Sequence, residues 1–202
     1  MKEWKNREVS ARRAEILAHA EKIFAAKGFH KATMAEIASS AGFATGSLYQ
    51  LFDNKEDLFA TVILELTDAA LERLTNAVGK QTTASAQITA FITELFSVTQ
   101  KNTNLLTILM RGDVVVASRV SHRIRLDLIE KTERQIAIAE DILQRGVSDG
   151  EFMSGINCRI TAMSLLGGVR FFAFYRIITN EEFVLTQEII EDFLQTFMRG
   201  IR

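Results

Sequence analysis

Between Thr33 and Lys55 the chain sets out hydroxyls, an amide, a phenol and an ammonium at Thr33, Thr45, Ser47, Tyr49, Gln50 and Lys55, with Gly42 and Gly46 among them. Groups of these kinds donate and accept hydrogen bonds and neutralise phosphate; in this arrangement they form no nucleophile–base pair. The elements that carry them can be read locally. Thr33 precedes Met34-Ala35-Glu36, a Thr-x-x-Glu capping box that starts a helix. Ile37, Ala38 and Ala41 give that helix an apolar face of small residues, so a second helix can pack close. Gly42 ends it in a turn suited to positive φ. A short helix is expected from about Thr45 to Leu51. Two short helices joined by a glycine turn make the helix-turn-helix shape, whose second helix enters the DNA major groove. Gly46 is a poor helix former, and its place near that helix's start makes sense where the backbone meets another surface closely. Asp53 to Asp57 then opens a new helix with Asn54 as N-cap. As plain structure, Thr33 and Asn54 are ordinary caps and Tyr49 a half-buried core aromatic. That reading leaves unexplained the Gly46-Ser47-Leu48-Tyr49 combination on a short helix with a polar outward face.

Other chemistries find little support. There is no Gly-x-Gly-x-x-Gly and no Gly-Lys-Ser/Thr phosphate loop. His19, His30 and His122 are too scattered for a metal site, and the lone Cys158 excludes both a disulfide framework and paired-Cys zinc spacings. Cys158 begins an apolar helix and reads as a small packed residue. Asp141, Asp149 and Glu151 read as solvated charges. No catalytic residue, metal or cofactor is expected.

The whole-chain charge of -1, from 24 Lys+Arg against 25 Asp+Glu, leans against nucleic acid when taken alone. Its distribution is more informative. Residues 1–60 hold 9 basic against 8 acidic side chains, the first thirteen hold 5 against 2, and the remainder holds 15 against 17. Apolar spacing is helical almost throughout, Pro is absent, and Val114-Val115-Val116 is the one β-like run. The fold class expected is all-α with about nine helices, divided into domains 1–54 and 55–202. A first helix ends near Gly28; longer ones run over Lys55–Val78, Thr83–Lys101, Asn104–Arg111, Ser118–Arg145, Asn157–Thr179 and Glu182–Arg199. The N-terminal residues are polar, and the best apolar run, Ile160 to Val169, is too short to span a bilayer. A soluble, cytoplasmic protein with no membrane partner is expected.

Two features of the second domain each read two ways. Ile160, Ser164, Gly167, Phe171, Phe174 and Ile178, and then Ile190, Phe193, Phe197 and Ile201, form stripes that suit packing against a second copy or the core of a monomer. Phe91, Phe96, Phe171, Phe172, Met110 and Tyr175 can line an apolar cavity or fill a core. Glu94, Arg111, His122 and Arg170 are polar groups able to orient a ligand or to pair at the surface.

The run Gly28 to Ala38, then Ala41-Gly42-Phe43, Gly46-Ser47-Leu48-Tyr49-Gln50-Leu51-Phe52 and Lys55-Glu56-Asp57-Leu58, resembles the DNA-binding domain of the TetR family, and Arg13-x-x-Ile16-Leu17 resembles the start of that family's first helix. The likeness covers about Arg13 to Phe59; beyond it only the all-α pattern and the loop Gly146 to Phe152 are similar. It implies that Thr33 meets a phosphate and that Thr45, Ser47 and Gln50 face base edges or backbone. Gly46 would allow close approach, Tyr49 lean on the backbone and Lys55 hold a phosphate. Ala44 stands where the family commonly has a Ser cap and Leu51 where it has Tyr or His, so two polar contacts are lost. The resemblance further implies a homodimer formed through the last two long helices, a palindromic double-stranded operator, and a small, largely apolar effector bound in a larger helical domain. The function expected is a ligand-responsive one-component regulator, a repressor rather than an enzyme. The competing reading is a helical interaction module that keeps the fold without DNA binding, and Ala44 and Leu51 are its best support.

Overall fold

The computed structural model describes residues 2–102, 122–179 and 186–202. Among them the chain forms eight α-helices and no strand: α1 (Lys2–Lys31), α2 (Met34–Ser40), α3 (Thr45–Tyr49), α4 (Lys55–Gly79), α5 (Ala84–Lys101), α6 (His122–Ser148), α7 (Cys158–Thr179) and α8 (Gln187–Ile201). The helix expected over 104–111, the Val114–Val116 run, and the expected helix starts at 118 and 182 lie outside the described residues. The helices gather into two compact units. The first holds the chain up to Leu66 and the start of α6 through Leu128; the second holds the chain from Thr67 through α5 and again from Ile129 to the C terminus.

In the first unit the buried stripe of α1 is Ile16, Leu17, Ala20 and Phe24. Helical dihedrals fail at Gly28, where φ is 76° and ψ 169°, so the regular helix ends there and one further turn carries Phe29 inward. Phe24, Phe29 and Phe59 form an aromatic cluster with centroids 5.0 to 6.0 Å apart. Thr33 caps α2, its Oγ1 accepting from the Glu36 amide at 3.1 Å. The capping box is only half formed, because the Glu36 carboxylate pairs with Lys27. Gly42, at φ 75°, makes the turn into α3, and the Phe43 amide donates to the Ala38 carbonyl at 2.9 Å. Asn54 caps α4 by accepting from the Asp57 amide at 2.8 Å. Leu58, Phe59, Val62 and Ile63 bury the first turns of α4 in this same core.

The second unit is built on α5, α7, α8 and most of α6. Phe91, Ile92, Phe96, Ile142, Leu143, Leu165, Leu166 and Val169 fill its core, with Ala139 and Ala162 at close crossings. Phe96, Phe172 and Phe193 meet at centroid separations of 5.2 to 5.9 Å. A Cβ on Gly168 would lie 3.2 Å from the Phe193 ring, so this glycine makes room for α8, whereas one on Gly167 would meet nothing within 4 Å among the described residues. The two stripes therefore separate. On α8, Ile190, Phe193 and Phe197 pack against the core and Ile201 is buried. On α7, Ile160, Met163 and Phe171 are exposed on the opposite face. The side chains of Phe174 and Ile178 lie outside the described residues.

The loop after α6 ties three helix ends together. Its Glu151 carboxylate accepts from the Ala84 and Ser85 amides, both at 2.8 Å, satisfying orphan donors at the start of α5. The Ser85 amide first, then the Ser85 hydroxyl and the Ala84 amide, hold this carboxyl below the usual carboxylate range. Its contribution is thus complete at neutral pH and lost only as pH falls through that lowered value. Met153 donates to the Ile201 carbonyl at 2.8 Å. Gly146 sits under the buried Phe152 ring, where a Cβ would come within 2.1 Å of Cδ2. Gly146→Ala is therefore expected to destabilise the protein by about 1–3 kcal/mol through overpacking. A urea titration checks this, and an unchanged midpoint would show that the ring has room to move.

Candidate nucleic-acid interface

The α2–turn–α3 segment presents a sharply two-sided surface. Leu48 is fully buried and Leu51 packs half-buried against the same core, whereas Tyr49 is 55% exposed and Gln50 is exposed beside it. Leu51 therefore serves packing, which explains an apolar residue there. Gly46 is exposed, and a Cβ added to it would meet nothing within 4 Å among the described residues. Nothing among the described residues requires glycine at this position. Thr45 and Ser47 are half-buried on α3, and Thr33 is exposed at the N terminus of α2. Ala44 offers α3 no side-chain cap, and the Ser47 amide donates to the Ala44 carbonyl at 2.9 Å.

Lys55 has more partners than its sequence position suggests. Its Nζ donates to the carbonyls of Phe29 (2.9 Å), Ala32 (3.0 Å) and His30 (3.5 Å) and lies 4.4 Å from the Phe29 ring centroid. The ammonium closes the C-terminal end of α1, where unpaired carbonyls and the helix dipole favour a cation. Two cations that sequence reasoning did not single out flank α3. The Arg12 guanidinium sits over the Phe43 ring at 5.6 Å and that of Arg13 over the Phe52 ring at 4.8 Å. Phe43 and Phe52 stand just before and just after α3. The basic excess of the first thirteen residues is thus placed in part beside the helix-turn-helix. The only signal for this was an Arg pair on α1 one helix away from two aromatics. His19 Nδ1 lies 2.8 Å from Ser40 Oγ and links α1 to the end of α2.

In the second unit the six residues expected at a ligand site do not form one surface. Phe91 and Phe96 are fully buried, and Phe172 is half-buried against Phe96 and Phe193. Phe171 and Tyr175, 56% and 43% exposed, form a ring pair on the outer face of α7 at 6.2 Å. Met110 lies outside the described residues, as do Arg111 and the His122 side chain. Glu94 pairs with Arg73 at 2.5 Å, and Arg170 donates to Gln135 at 2.6 Å. An open groove of about 710 Å³ runs between the end of α4 and α5, lined by Lys80, Thr83, Thr89, Thr93, Glu94 and Arg202 among others. None of the six expected residues lines it. Among the described residues no group of three His, Cys, Asp or Glu side chains is placed to hold a metal, and no helix is long and apolar enough to cross a membrane.

Residues 16–62 match the family model described as bacterial regulatory proteins, tetR family. The HTH-type transcriptional repressor KstR2 of Mycolicibacterium smegmatis is 30% identical over 148 residues, 71% of this chain and 68% of that one. The chain belongs to the TetR family. The fatty acid metabolism regulator protein of Bacillus subtilis is 25% identical over 159 residues, 77% of this chain and 78% of its own. The crystal structure of the transcriptional regulator FadR from Bacillus subtilis in complex with stearoyl-CoA superposes with a TM-score of 0.76. That match is at 23% identity, over 94% of this chain and 99% of that one.

As a TetR-family transcriptional regulator, the protein has a DNA-binding head in which Lys55 closes the C-terminal end of α1. Removing that ammonium should loosen the head. Lys55→Met keeps an apolar stem over Phe29 but loses the charged donor, and is expected to lower unfolding stability by about 2 kcal/mol. The readout is a lower urea midpoint at unchanged m-value; an unaltered midpoint would contradict the capping role.

Proposed function

We propose that the protein is a homodimeric one-component repressor that inserts α3 into the major groove of a palindromic operator and is released by a small, largely apolar effector held in the second unit. The observation that carries the DNA half is the exposed Gly46, Tyr49 and Gln50 on a short helix fixed from below by Leu48. In this reading Thr33 meets a phosphate and Thr45, Ser47 and Gln50 reach base edges or backbone. Gly46 admits the DNA backbone and Tyr49 leans on it. Lys55 has its longest contact at His30, 3.5 Å, and turns that N–H to a phosphate. Arg12 and Arg13 add charge beside α3. In this reading the protein acts in the cytoplasm.

The exposed α7 stripe of Ile160, Met163, Phe171 and Tyr175, with Gly167 open between them, supports a two-fold contact with a second copy. The outward residues of α8, among them Glu188, Glu191, Asp192 and Arg199, would form the polar rim of such an interface. Phe171 and Tyr175 then serve the dimer, and the effector is left with Phe91, Phe96, Phe172 and Met110 as its apolar surroundings. The relatives support an effector of fatty-acyl or steroid type, because one carries a fatty acid regulator's name, one structure holds stearoyl-CoA and another is called a ketosteroid regulator. Effector binding would shift α4, which contributes to both units, and so lower operator affinity by the effector's differential affinity for the two states.

Selection of bound sequences from random DNA tests the reading. Wild type should enrich an inverted repeat. Gln50→Ala should keep the repeat but relax one position per half-site, Tyr49→Ala should weaken all sites about equally, and Phe171→Glu should leave a monomer that no longer requires both halves. Failure of the wild type to enrich any sequence would overturn the proposal.

A further inference from the structure

Two neighbouring arginines of α1 lie on aromatic rings at the two ends of α3, and their settings differ. Phe43 stands on the turn before α3, its amide donating to the Ala38 carbonyl at 2.9 Å, and Phe52 follows α3. Adjacent positions on a helix diverge by about 100°, and a five-residue helix such as α3 spans about 7.5 Å. One pair of neighbours on α1 therefore reaches both of its ends. The Arg13 guanidinium lies 4.8 Å from the Phe52 centroid. That ring is 2% exposed and belongs to the core, so Arg13 has a packing task as well. Arg12 lies 5.6 Å from the centroid of Phe43, which is only half-buried. Arg12 Nη2 also donates to Glu8 Oε1 at 3.3 Å, one turn back on α1, with both side chains open to solvent.

The groups that can hold Arg12 do not ask for the same part of it. A ring takes the face of a guanidinium, whereas a carboxylate or a phosphate takes its N–H edge. Phe43 and a phosphate can therefore hold Arg12 together, while Glu8 and a phosphate compete for the same N–H. An exposed pair one turn apart on a helix is weak, and a DNA phosphate displaces it at a cost in affinity. A ring that already fixes the long side chain lowers the entropy lost when the phosphate is bound. We infer that Arg12 is a phosphate-binding residue beside the start of α3, that Phe43 is its positioning residue, and that Glu8 is an internal competitor that lowers operator affinity. The inference rests on the operator reading above and adds which residue readies a cation and which restrains it.

The test measures the affinity of the full-length protein for the inverted repeat that wild type enriches, by fluorescence anisotropy over a salt series. Arg12→Met should weaken binding about tenfold and reduce the slope of log K against log salt by about 1.8, one phosphate per protomer of the dimer. Phe43→Leu keeps an apolar side chain on the turn and removes the ring face. It should weaken binding about threefold with Arg12 present and not at all alongside Arg12→Met. Glu8→Gln should tighten binding about threefold, again only with Arg12 present. A Phe43 that merely packs would cost the same in both backgrounds, and a Glu8 that merely repels DNA would gain the same in both; either result overturns the inference. Unchanged affinity and slope in Arg12→Met overturn it too and leave the operator reading standing. A wild type that enriches no DNA sequence overturns that reading and the inference with it.

Discussion

The DNA-binding half depends on how α1 ends. A helix that stops inside a protein leaves carbonyls with no partner, and the dipole of the helix gathers negative character at the same place. Here Gly28 takes a positive φ, the chain turns, and the carbonyls of Phe29, His30 and Ala32 converge on the ammonium of Lys55, the first residue of α4. One side chain thereby fixes where α4 begins relative to the end of α1, and the Phe24, Phe29 and Phe59 rings fill the space beneath it. Thr33 starts α2 directly beyond that junction, and α3 follows through the Gly42 turn.

Local signals were legible in the sequence where they act over three or four residues. The Thr33 and Asn54 caps, the Gly42 turn and the helix break near Gly28 are of this kind, since a cap side chain and the amide it serves are separated by a fixed short span. About nine helices were expected from apolar periodicity and local caps; eight are described, with the ends that fall on described residues close to those expected, because a buried stripe repeats at the helical period whatever it packs against. The Thr33–Glu36 box was only half right. Glu36 had a competing partner, Lys27, on another helix, and nothing in the local spacing reveals that competition.

Contacts between distant residues were not legible. Lys55 reads as a free cation until the α1 carbonyls are placed around it, and Arg12 and Arg13 read as an unplaced basic excess until Phe43 and Phe52 are brought under them. Residue type also failed to separate the phenylalanines. Phe96 and Phe171 share a chemistry, yet one is in the core and the other on an outer face, because only the neighbouring helix decides which way a stripe points. The same ambiguity left the α8 stripe open between interface and core, and its Ile190, Phe193 and Phe197 pack against the core. The glycine pair in α7 divides likewise, Gly168 accommodating Phe193 and Gly167 facing out.

On the proposed reading a near-neutral head, 9 basic against 8 acidic residues over the first sixty, holds DNA mainly by shape and hydrogen bonds, with a few cations at Arg12, Arg13 and Lys55. The dependence of operator affinity on salt measures that balance directly, since each phosphate neutralised contributes about 0.9 to the slope of log K against log salt. For the dimer this account predicts a slope between about -3.5 and -5.5, from two or three cations per protomer. A slope near -10, the value of a heavily charge-driven repressor, would contradict it.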